Sequence, residues 1–531
     1  MNRCAGRAVL ALLVLSALAC AGLSPTSNRA AEGTALAVTL DALATVIAAY
    51  TPTPFGAPPP VTPAESVPTA VEAITPLPSA TSDAYARPSA TPVIPTGAPP
   101  PTTPPGFYAA QSGDTLRGLA LRLRLDPAEV LLANPGLPLT QTIAPGVWLT
   151  LPPAAFVGGY TTPLLPDSAV SYSPAAASFD VRAFVLARPG YLAAYTEVIT
   201  TTQPPQPGWQ IVAEAARRYS INPRLLLALL EQQTGALSAP SPDAYVQLHS
   251  LGLEAPALLP GLSHQLGWAG NQLNYGYYGW RDGSLVSFAT PDGAFYPADG
   301  RLNAGSFAVA RLLALLYKSP GFAQVTGPAG LLATYTRLFG DPWAAGSGAL
   351  ISGGLTQPAM QLPFEPGVRW SFSGGPHPGY GSTLPFAALD FAPPAEQPGC
   401  APNAQWAVAV RAGVVVYSAD GLLELDVGDG WSVVYLHLAT SDRAPLGAVV
   451  AAGDRLGHPS CEGGRATGSH LHLARKYRGE WVPADGFAPF ELGGWVARFG
   501  GGPYAGSLTN GERVVTSCAC ANIQTAIWIE P

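Results

Sequence analysis

The sequence predicts a multidomain protein with a C-terminal all-β antiparallel domain, preceded by a mainly α-helical domain and a small β-α-α-β module. The chain has 531 residues, too many for a single hydrophobic core. From about residue 362 onward, strand-like runs such as AVAVRAGVVVYS and WSVVYLHL alternate with Gly, Asp and Pro turns. Helix-periodic segments dominate the preceding part. We therefore expect the module at 106–153, the helical domain at 170–345 and the β domain at 360–531.

Composition and charge exclude one class of partner. The chain contains 27 Lys and Arg residues without a basic run, and its formal net charge is -7. Binding to nucleic acid needs clustered positive charge that faces the phosphates. We therefore do not expect a nucleic-acid partner.

The N-terminus has the pattern of an export signal over residues 1–19. Arg3 and Arg7 precede an apolar stretch, Ala8 to Leu18, that is too short to span a membrane comfortably. The following residues, ALAC ending at Cys20, resemble the lipobox of bacterial lipoproteins. That resemblance implies a lipidated Cys20 that anchors an exported protein in the membrane, facing the cell wall. Ordinary signal cleavage is the alternative.

Residues 20–105 are dominated by Pro, Thr, Ala and Ser, as in PTGAPPPTTPP. Such a composition buries too little apolar surface to fold. We interpret this segment as a disordered stalk.

The module at 106–153 opens with a short strand at Tyr108 and continues with helical segments at Leu116 to Leu123 and Asp126 to Leu132. A closing strand is expected at Val147 to Leu151. The segments QSGDTLRGLALRL, LLANPGL and IAPGVWLTLP resemble the LysM module, which binds glycans containing N-acetylglucosamine. The resemblance implies attachment to peptidoglycan or chitin; a small unrelated α/β domain is the alternative.

The helical domain contains INPRLLLALLEQQTG, which resembles the acid-bearing helix of lytic transglycosylases and goose-type lysozymes. Aligning that motif puts Gln233 at the position of the catalytic acid, while Glu231 lies about 200° away around the helix. We therefore expect a degenerate lysozyme-like domain that does not cleave glycan strands. The aromatic residues Tyr275, Tyr277, Tyr278 and Trp280 either stack on sugar rings or pack in the core or a loop.

The β domain carries the strongest chemical signal, GSHLH at 468–472. In a strand, His470 and His472 project from one face and Leu471 from the other. Two imidazoles on one face indicate a metal or proton chemistry. The same alternation predicts that His437 shares a face with Val433 and Tyr435, and beside the HxH pair it becomes a candidate acid-base group.

These segments, together with GGPHPGYGSTLPFAALDF and GAVVAAGDRLGH, resemble the lysostaphin-type and beta-lytic zinc endopeptidases. Many members have HxxxD, where this chain has Phe386, but the beta-lytic spacing of 13 residues is met by His377 and Asp390. The resemblance implies Zn²⁺ ligation by His377, Asp390 and His472 with an open position for water. It also places the catalytic residues His437 and His470 beside the metal, one as general base and the other stabilising the oxyanion, in an order that stays open.

Four cysteines remain after Cys4 and Cys20, which is consistent with disulfides in an exported protein. A four-Cys zinc site is the alternative. We expect a Cys400–Cys461 disulfide beside the site, and structural roles for His249, His264 and His458.

Together these features predict a zinc-dependent metalloendopeptidase that hydrolyses the stem or cross-bridge peptides of peptidoglycan. Glycine-rich proteins remain possible substrates. An inactive peptidoglycan-binding regulator and a two-activity hydrolase that also cleaves glycan are the alternative functions.

Overall fold

The computed structural model describes residues 106–200, 203–253, 260–344, 349–394, 399–520 and 522–530. The predicted signal peptide, the lipidated Cys20 and the stalk lie outside these residues. Within the described part of the chain, no helix is both long and apolar enough to cross a membrane. Helices fill the central part and antiparallel strands the C-terminal part, which confirms the multidomain prediction at that level.

The N-terminal module has the predicted β-α-α-β order. Its elements are β1 (Phe107–Ala109), α1 (Leu116–Arg122), α2 (Pro127–Ala133) and β2 (Trp148–Thr150). The two strands pair antiparallel, and the side chains of Thr115 and Asp126 cap the two helices as acceptors. A buried ion pair between Asp114 and Arg122 (2.7 Å) joins the turn before α1 to the last residue of α1. The topology agrees with the prediction, and the LysM assignment itself stays a prediction.

The central region is built from ten α-helices within the described residues. They are α3 (Asp167–Val170), α4 (Pro174–Ala177), α5 (Val181–Leu186), α6 (Gly208–Tyr219), α7 (Pro223–Thr234), α8 (Ala244–Leu248), α9 (Leu262–Asp282), α10 (Ala304–Leu316), α11 (Ser319–Val325) and α12 (Leu331–Phe339). Two short hairpins accompany them, β3 (Thr196–Glu197) with β4 (Gln206–Pro207) and β5 (Ser287–Ala289) with β6 (Phe295–Pro297). Asn222 caps α7, and Pro223 occupies its first turn, where a proline is tolerated.

The C-terminal region consists of strands. They are β7 (Trp370–Pro378), β8 (Phe386–Ala392), β9 (Ala407–Val408), β10 (Gly413–Ala419), β11 (Leu422–Gly428), β12 (Trp431–Leu436), β13 (Val449–Val450), β14 (Arg455–Gly457), β15 (Leu471–Tyr477), β16 (Glu480–Trp481), β17 (Glu491–Leu492), β18 (Trp495–Phe499), β19 (Gly506–Asn510), β20 (Arg513–Thr516) and β21 (Ala526–Ile527). The main sheet has the order β13-β10-β11-β12-β15-β8-β7-β21, with β16 paired to β15. Strands β17 to β20 form a second antiparallel sheet, and β9 pairs with β14.

The two faces of the main sheet belong to different cores. One face buries Leu389, Leu473 and Tyr435 in the core of the β region. Ala388 and Ala474 are the strand neighbours of Leu389 and Leu473, so they point to the opposite face, where they pack against the helical region. Asp390 and His472 follow the same alternation, so they lie on the face that the helices partly cover.

One residue of α9 connects all three regions. The Arg281 guanidinium bonds to Glu480 of β16 and to Asp167 of α3. On the module side, a Cβ atom added at Gly118 would lie 2.2 Å from the Arg281 carbonyl oxygen. The module therefore packs directly on the end of α9, and α9 is bonded to the main sheet.

Candidate metal centre and active site

Three adjacent strands carry the three predicted metal ligands. Asp390 of β8 lies directly opposite His472 of β15 in the strand register. On the other side of β8, Gly374 of β7 faces Asp390, and a register irregularity follows before His377 pairs with Ala388. A side chain at position 374 is excluded because its Cβ would lie 2.7 Å from Asp390 Oδ2. This irregularity in β7 brings His377 to the same face as Asp390 and His472.

The three ligand atoms converge in a buried cluster and lie within 4.8 Å of one another. His377 Nε2 is 3.0 Å from His472 Nδ1 and 3.2 Å from Asp390 Oδ1. His472 Nδ1 is 3.3 Å from the same carboxylate oxygen. All three residues are at least nine-tenths buried.

The outer ring nitrogens fix the tautomers of these two imidazoles. His377 Nδ1 donates to the Gly375 carbonyl (2.8 Å), and His472 Nε2 donates to the Gly379 carbonyl (3.0 Å). Each inner nitrogen therefore presents a lone pair to Asp390 Oδ1, which is buried and has no hydrogen-bond partner. Three buried lone pairs that face one another at this distance are stabilised by a cation. Two nitrogens and one carboxylate oxygen fit the ligand set of a catalytic Zn²⁺ site.

The two predicted catalytic histidines lie beside this cluster. His470 Nε2 is 3.8 Å from Asp390 Oδ1, and the His437 and His470 rings are 4.6 Å apart. Their outer nitrogens also donate to backbone carbonyls, His437 Nδ1 to Glu462 (2.9 Å) and His470 Nδ1 to Gly468 (2.8 Å). The inner Nε2 atoms are therefore unprotonated in the neutral rings.

The predicted direction of His437 is wrong. The alternation of β12 placed it with Val433 and Tyr435, but those two side chains lie in the core of the β region. The strand ends at Leu436, and His437 adopts a left-handed conformation with φ 67°. This backbone turn reverses the alternation and directs the imidazole to the site instead. A non-glycine residue in this conformation needs support from its surroundings.

The buried site favours neutral imidazoles. Burial, together with the neighbouring rings of His470 and His472, lowers the pKa of His437 to about 3. Burial also lowers the pKa of His472. Burial thus favours the uncharged form of His437 and His472, the form in which an imidazole nitrogen has a free lone pair.

The Cys400–Cys461 disulfide is formed as predicted, and Cys518 pairs with Cys520. His458 packs on Trp406 and contacts the Gln405 carbonyl, outside the metal cluster. His249 and His264 each contact the carbonyl four residues earlier in the chain. These contacts agree with structural roles for the three histidines.

Glu231 and Gln233, the two residues compared with a catalytic acid, are bonded to other residues of the helical region. Glu231 is buried, accepts from the Leu237 amide (2.9 Å) and pairs with Arg337 (3.4 Å). Gln233 accepts from the Tyr317 hydroxyl (3.0 Å). Neither side chain resembles a free general acid.

Of the two alternatives for the aromatic cluster, core packing holds for three of its four residues. Tyr277, Tyr278 and Trp280 are buried on α9, and only Tyr275 is partly exposed. The hydroxyl of Tyr277 donates to Glu480, and the hydroxyl of Tyr278 accepts from the Trp481 amide. On a long helix that lies between the helical core and the sheet, these rings pack inward and cannot stack on a ligand.

Sequence reasoning missed Tyr504, which lies in the loop between β18 and β19. Its ring stacks on His377 with centroids 4.2 Å apart, and more than half of the residue is exposed. The Tyr504 carbonyl accepts from the Gly375 amide (2.8 Å), so the loop supports the segment that holds His377. Tyr504 lies between Pro503 and Ala505 in a glycine-rich loop and has no periodic signal, so only the fold brings it to the site.

An antiparallel sheet that carries a buried His-Asp-His cluster able to hold a metal ion, with two further imidazoles beside it, has the features of a metallopeptidase site. A family profile described as "LasA, N-terminal domain" matches residues 163–352. The chain is 31% identical to protease LasA of Pseudomonas aeruginosa over 300 residues, which cover 52% of this chain and 68% of that protein. It therefore belongs to the LasA family of beta-lytic metallopeptidases, peptidase family M23.

Two further similarities fall in shorter parts of the chain. The beta-lytic metalloendopeptidase of Achromobacter lyticus is 30% identical over 135 residues, 24% of this chain and 35% of that protein. The solved structure of the M23 metalloprotease pseudoalterin, from the deep sea, is 24% identical, covers 30% of this chain and 96% of its own, and has a TM-score of 0.28. The lytic-transglycosylase resemblance of the helical region stays a prediction beside the LasA profile.

Proposed function

We propose that this chain is a zinc-dependent metalloendopeptidase that hydrolyses peptide bonds of peptidoglycan. The observation that carries the proposal is the convergence of His377 Nε2, Asp390 Oδ1 and His472 Nδ1. The outer nitrogen of each of the two imidazoles donates to a backbone carbonyl, and Asp390 Oδ1 has no hydrogen-bond partner. Zn²⁺ bound by these atoms supplies a Lewis acid that polarises the scissile carbonyl and acidifies water to a pKa of roughly 7.

His437 and His470 are the proposed catalytic residues. Both are held in the tautomer that leaves Nε2 free, so either imidazole is able to accept the proton of the attacking water. The other is the residue proposed to stabilise the oxyanion that develops on the scissile carbonyl; to donate from Nε2 it must first take up a proton from solvent. His470 is the more exposed of the two, with 18% of its side chain accessible against a buried His437. The substrate peptide therefore approaches the site from the side of His470.

The substrate assignment rests on the module at 106–153. Its sequence resembles LysM, which favours a glycan-containing polymer over general protein substrates. Export through residues 1–19 and anchoring through a lipidated Cys20 complete the proposal: a membrane-attached enzyme that faces the cell wall. Glycine-rich proteins, the alternative substrates, lack the glycan that a LysM module would bind.

Two measurements on the full chain test the metal and the chemistry. The wild-type protein is expected to bind one zinc by metal analysis and to release new amino termini from purified peptidoglycan. His472→Ala should lose the metal and the activity, whereas His470→Ala should keep the metal and lose the activity. The matched control is His249→Ala, a surface histidine outside the site, which should change neither.

Three outcomes contradict parts of the proposal. Zinc binding that survives His472→Ala removes the ligand assignment. A protein that sediments with peptidoglycan but releases no amino termini is a binding-only regulator. Cleavage of glycine-rich protein without cleavage of peptidoglycan redirects the substrate, and mass spectrometry of defined muropeptides identifies the bond.

A further inference from the structure

We propose that the Cys400–Cys461 disulfide is a positioning element that holds both non-ligand histidines, His437 and His470, in their working orientation. The inference rests on the proposed function, because it assigns a role within that site. The two segments that the disulfide joins, 399–401 and 459–462, lie outside the named strands. Each one contacts the backbone next to a histidine.

The Cys461 side of the bridge supports His437. The Ser460 amide donates to the His437 carbonyl (2.6 Å), and the Ser460 hydroxyl donates to the same oxygen (3.1 Å). One residue beyond the disulfide, the Glu462 carbonyl accepts from His437 Nδ1 (2.9 Å). The segment thus holds both the left-handed backbone of His437 and the tautomer of its ring.

The Cys400 side supports His470 through Ser469. The Ser469 amide donates to the Gly399 carbonyl (2.8 Å), and its hydroxyl donates to the Ala401 carbonyl. The preceding residue, Gly468, provides the carbonyl that accepts from His470 Nδ1 (2.8 Å). A backbone bridge between Ser460 and His470 closes the arrangement. The disulfide therefore links the supports of two histidines that the sequence separates by 33 positions.

The metal ligands are held differently. Asp390 and His472 lie on neighbouring strands of the main sheet, and the outer partners of His377 and His472 are the carbonyls of Gly375 and Gly379. None of these groups belongs to the two segments joined by the disulfide. Loss of the bridge should consequently loosen His437 and His470 while the metal cluster stays in place.

The test is Cys400→Ser/Cys461→Ser in the full, zinc-loaded chain. We expect kcat on peptidoglycan peptides to fall by roughly 10- to 100-fold, the loss that a displacement of about 1 Å produces in a reacting group. KM and zinc affinity, measured by competition with a chelator, should change by less than about twofold. The matched control is Cys518→Ser/Cys520→Ser, which removes the other disulfide and should leave all three quantities unchanged.

A second readout does not depend on activity. In protein labelled with ¹⁵N-histidine, the Nδ1–H signals of His437 and His470 should be protected from exchange in the wild type. They should broaden or lose protection in Cys400→Ser/Cys461→Ser and stay unchanged in the control. If the wild type proves to have no peptidase activity, the proposed function fails, and these signals still decide whether the disulfide positions the rings.

Ser469→Ala tests the link with a surface change that leaves the disulfide intact. It should lower kcat severalfold in the wild-type background. In Cys400→Ser/Cys461→Ser it should have no further effect, because segment 399–401, to which Ser469 donates, is then already free to move. Unchanged kcat with unchanged Nδ1–H protection in the disulfide variant overturns the proposal. Zinc loss in parallel with kcat also overturns it, since the bridge would then support the whole site.

Discussion

Replacing Arg281 by Met should destabilise the folded chain far more than a typical surface change. Glu480 is fully buried, and its carboxylate is bonded by Arg281 and by the Tyr277 hydroxyl. Without Arg281 the Tyr277 hydroxyl is left to stabilise the buried charge. Breaking one side of a buried ion pair costs about 3–5 kcal/mol because the remaining charge stays uncompensated. Arg455→Met is the matched control: Arg455 pairs with Glu365 on the surface, and its loss should cost at most about 1 kcal/mol.

The destabilisation should also depend on pH. Burial raises the pKa of Glu480, and Arg281 partly lowers it again. In Arg281→Met the folded-state pKa rises further above the unfolded value of about 4.3, so the folded state binds more protons than the unfolded state in the window between that value and the raised folded-state pKa. Stability then falls as pH rises through that window, and the deficit against wild type should be larger at about pH 8 than at about pH 5.

Urea unfolding followed by Trp fluorescence measures both the destabilisation and its pH dependence. Each appears as a shift of the urea midpoint with an unchanged m-value. A double variant, Arg281→Met/Glu480→Gln, should recover part of the loss because the buried charge is gone. A cost for Arg281→Met no larger than that of Arg455→Met, or a deficit independent of pH, would refute the reasoning.

Two further predictions concern the module and the helical region. Gly→Ala inside a helix usually stabilises by about 1 kcal/mol, but Gly118→Ala should destabilise by about 1–3 kcal/mol because the added Cβ would lie 2.2 Å from the Arg281 carbonyl oxygen; a raised urea midpoint would contradict this. The full chain should release no new reducing ends or anhydro-muropeptides from peptidoglycan, since the Glu231 carboxylate already bonds to Leu237 and Arg337. Such products, abolished by Glu231→Gln, would make the protein a two-activity hydrolase.

Local alternation and the family resemblance together account for the parts of the site that the sequence predicts. His470 is an isolated bridge residue just before β15, which contains His472, so the extended backbone puts both on one face. The resemblance, through its 13-residue spacing, identifies His377 although β7 is irregular. The direction of His437 was not predictable, because it depends on a left-handed residue just beyond the end of β12. Nothing in WSVVYLHL marks that point.

The long helix α9 is itself an element that the sequence pattern does not reveal. It contains four glycines, which lower helix propensity and hide its periodicity. Two of them are required by packing: a Cβ at Gly270 would lie 2.5 Å from Tyr219, and one at Gly276 would lie 2.9 Å from Ala308. Tertiary contacts thus select residues that local propensity disfavours, and the buried aromatic rings follow from the same close packing.

The four site histidines all use backbone carbonyls as their outer partners, those of Gly375, Gly379, Glu462 and Gly468. A carbonyl does not titrate, and no side-chain substitution removes it. The basicity of the four rings is therefore insensitive to point changes in their outer partners, unlike sites where a carboxylate takes that place. Laboratory evolution that acts through these outer partners would have to move loops, by insertions, deletions or altered glycines, because no single side-chain change removes a carbonyl.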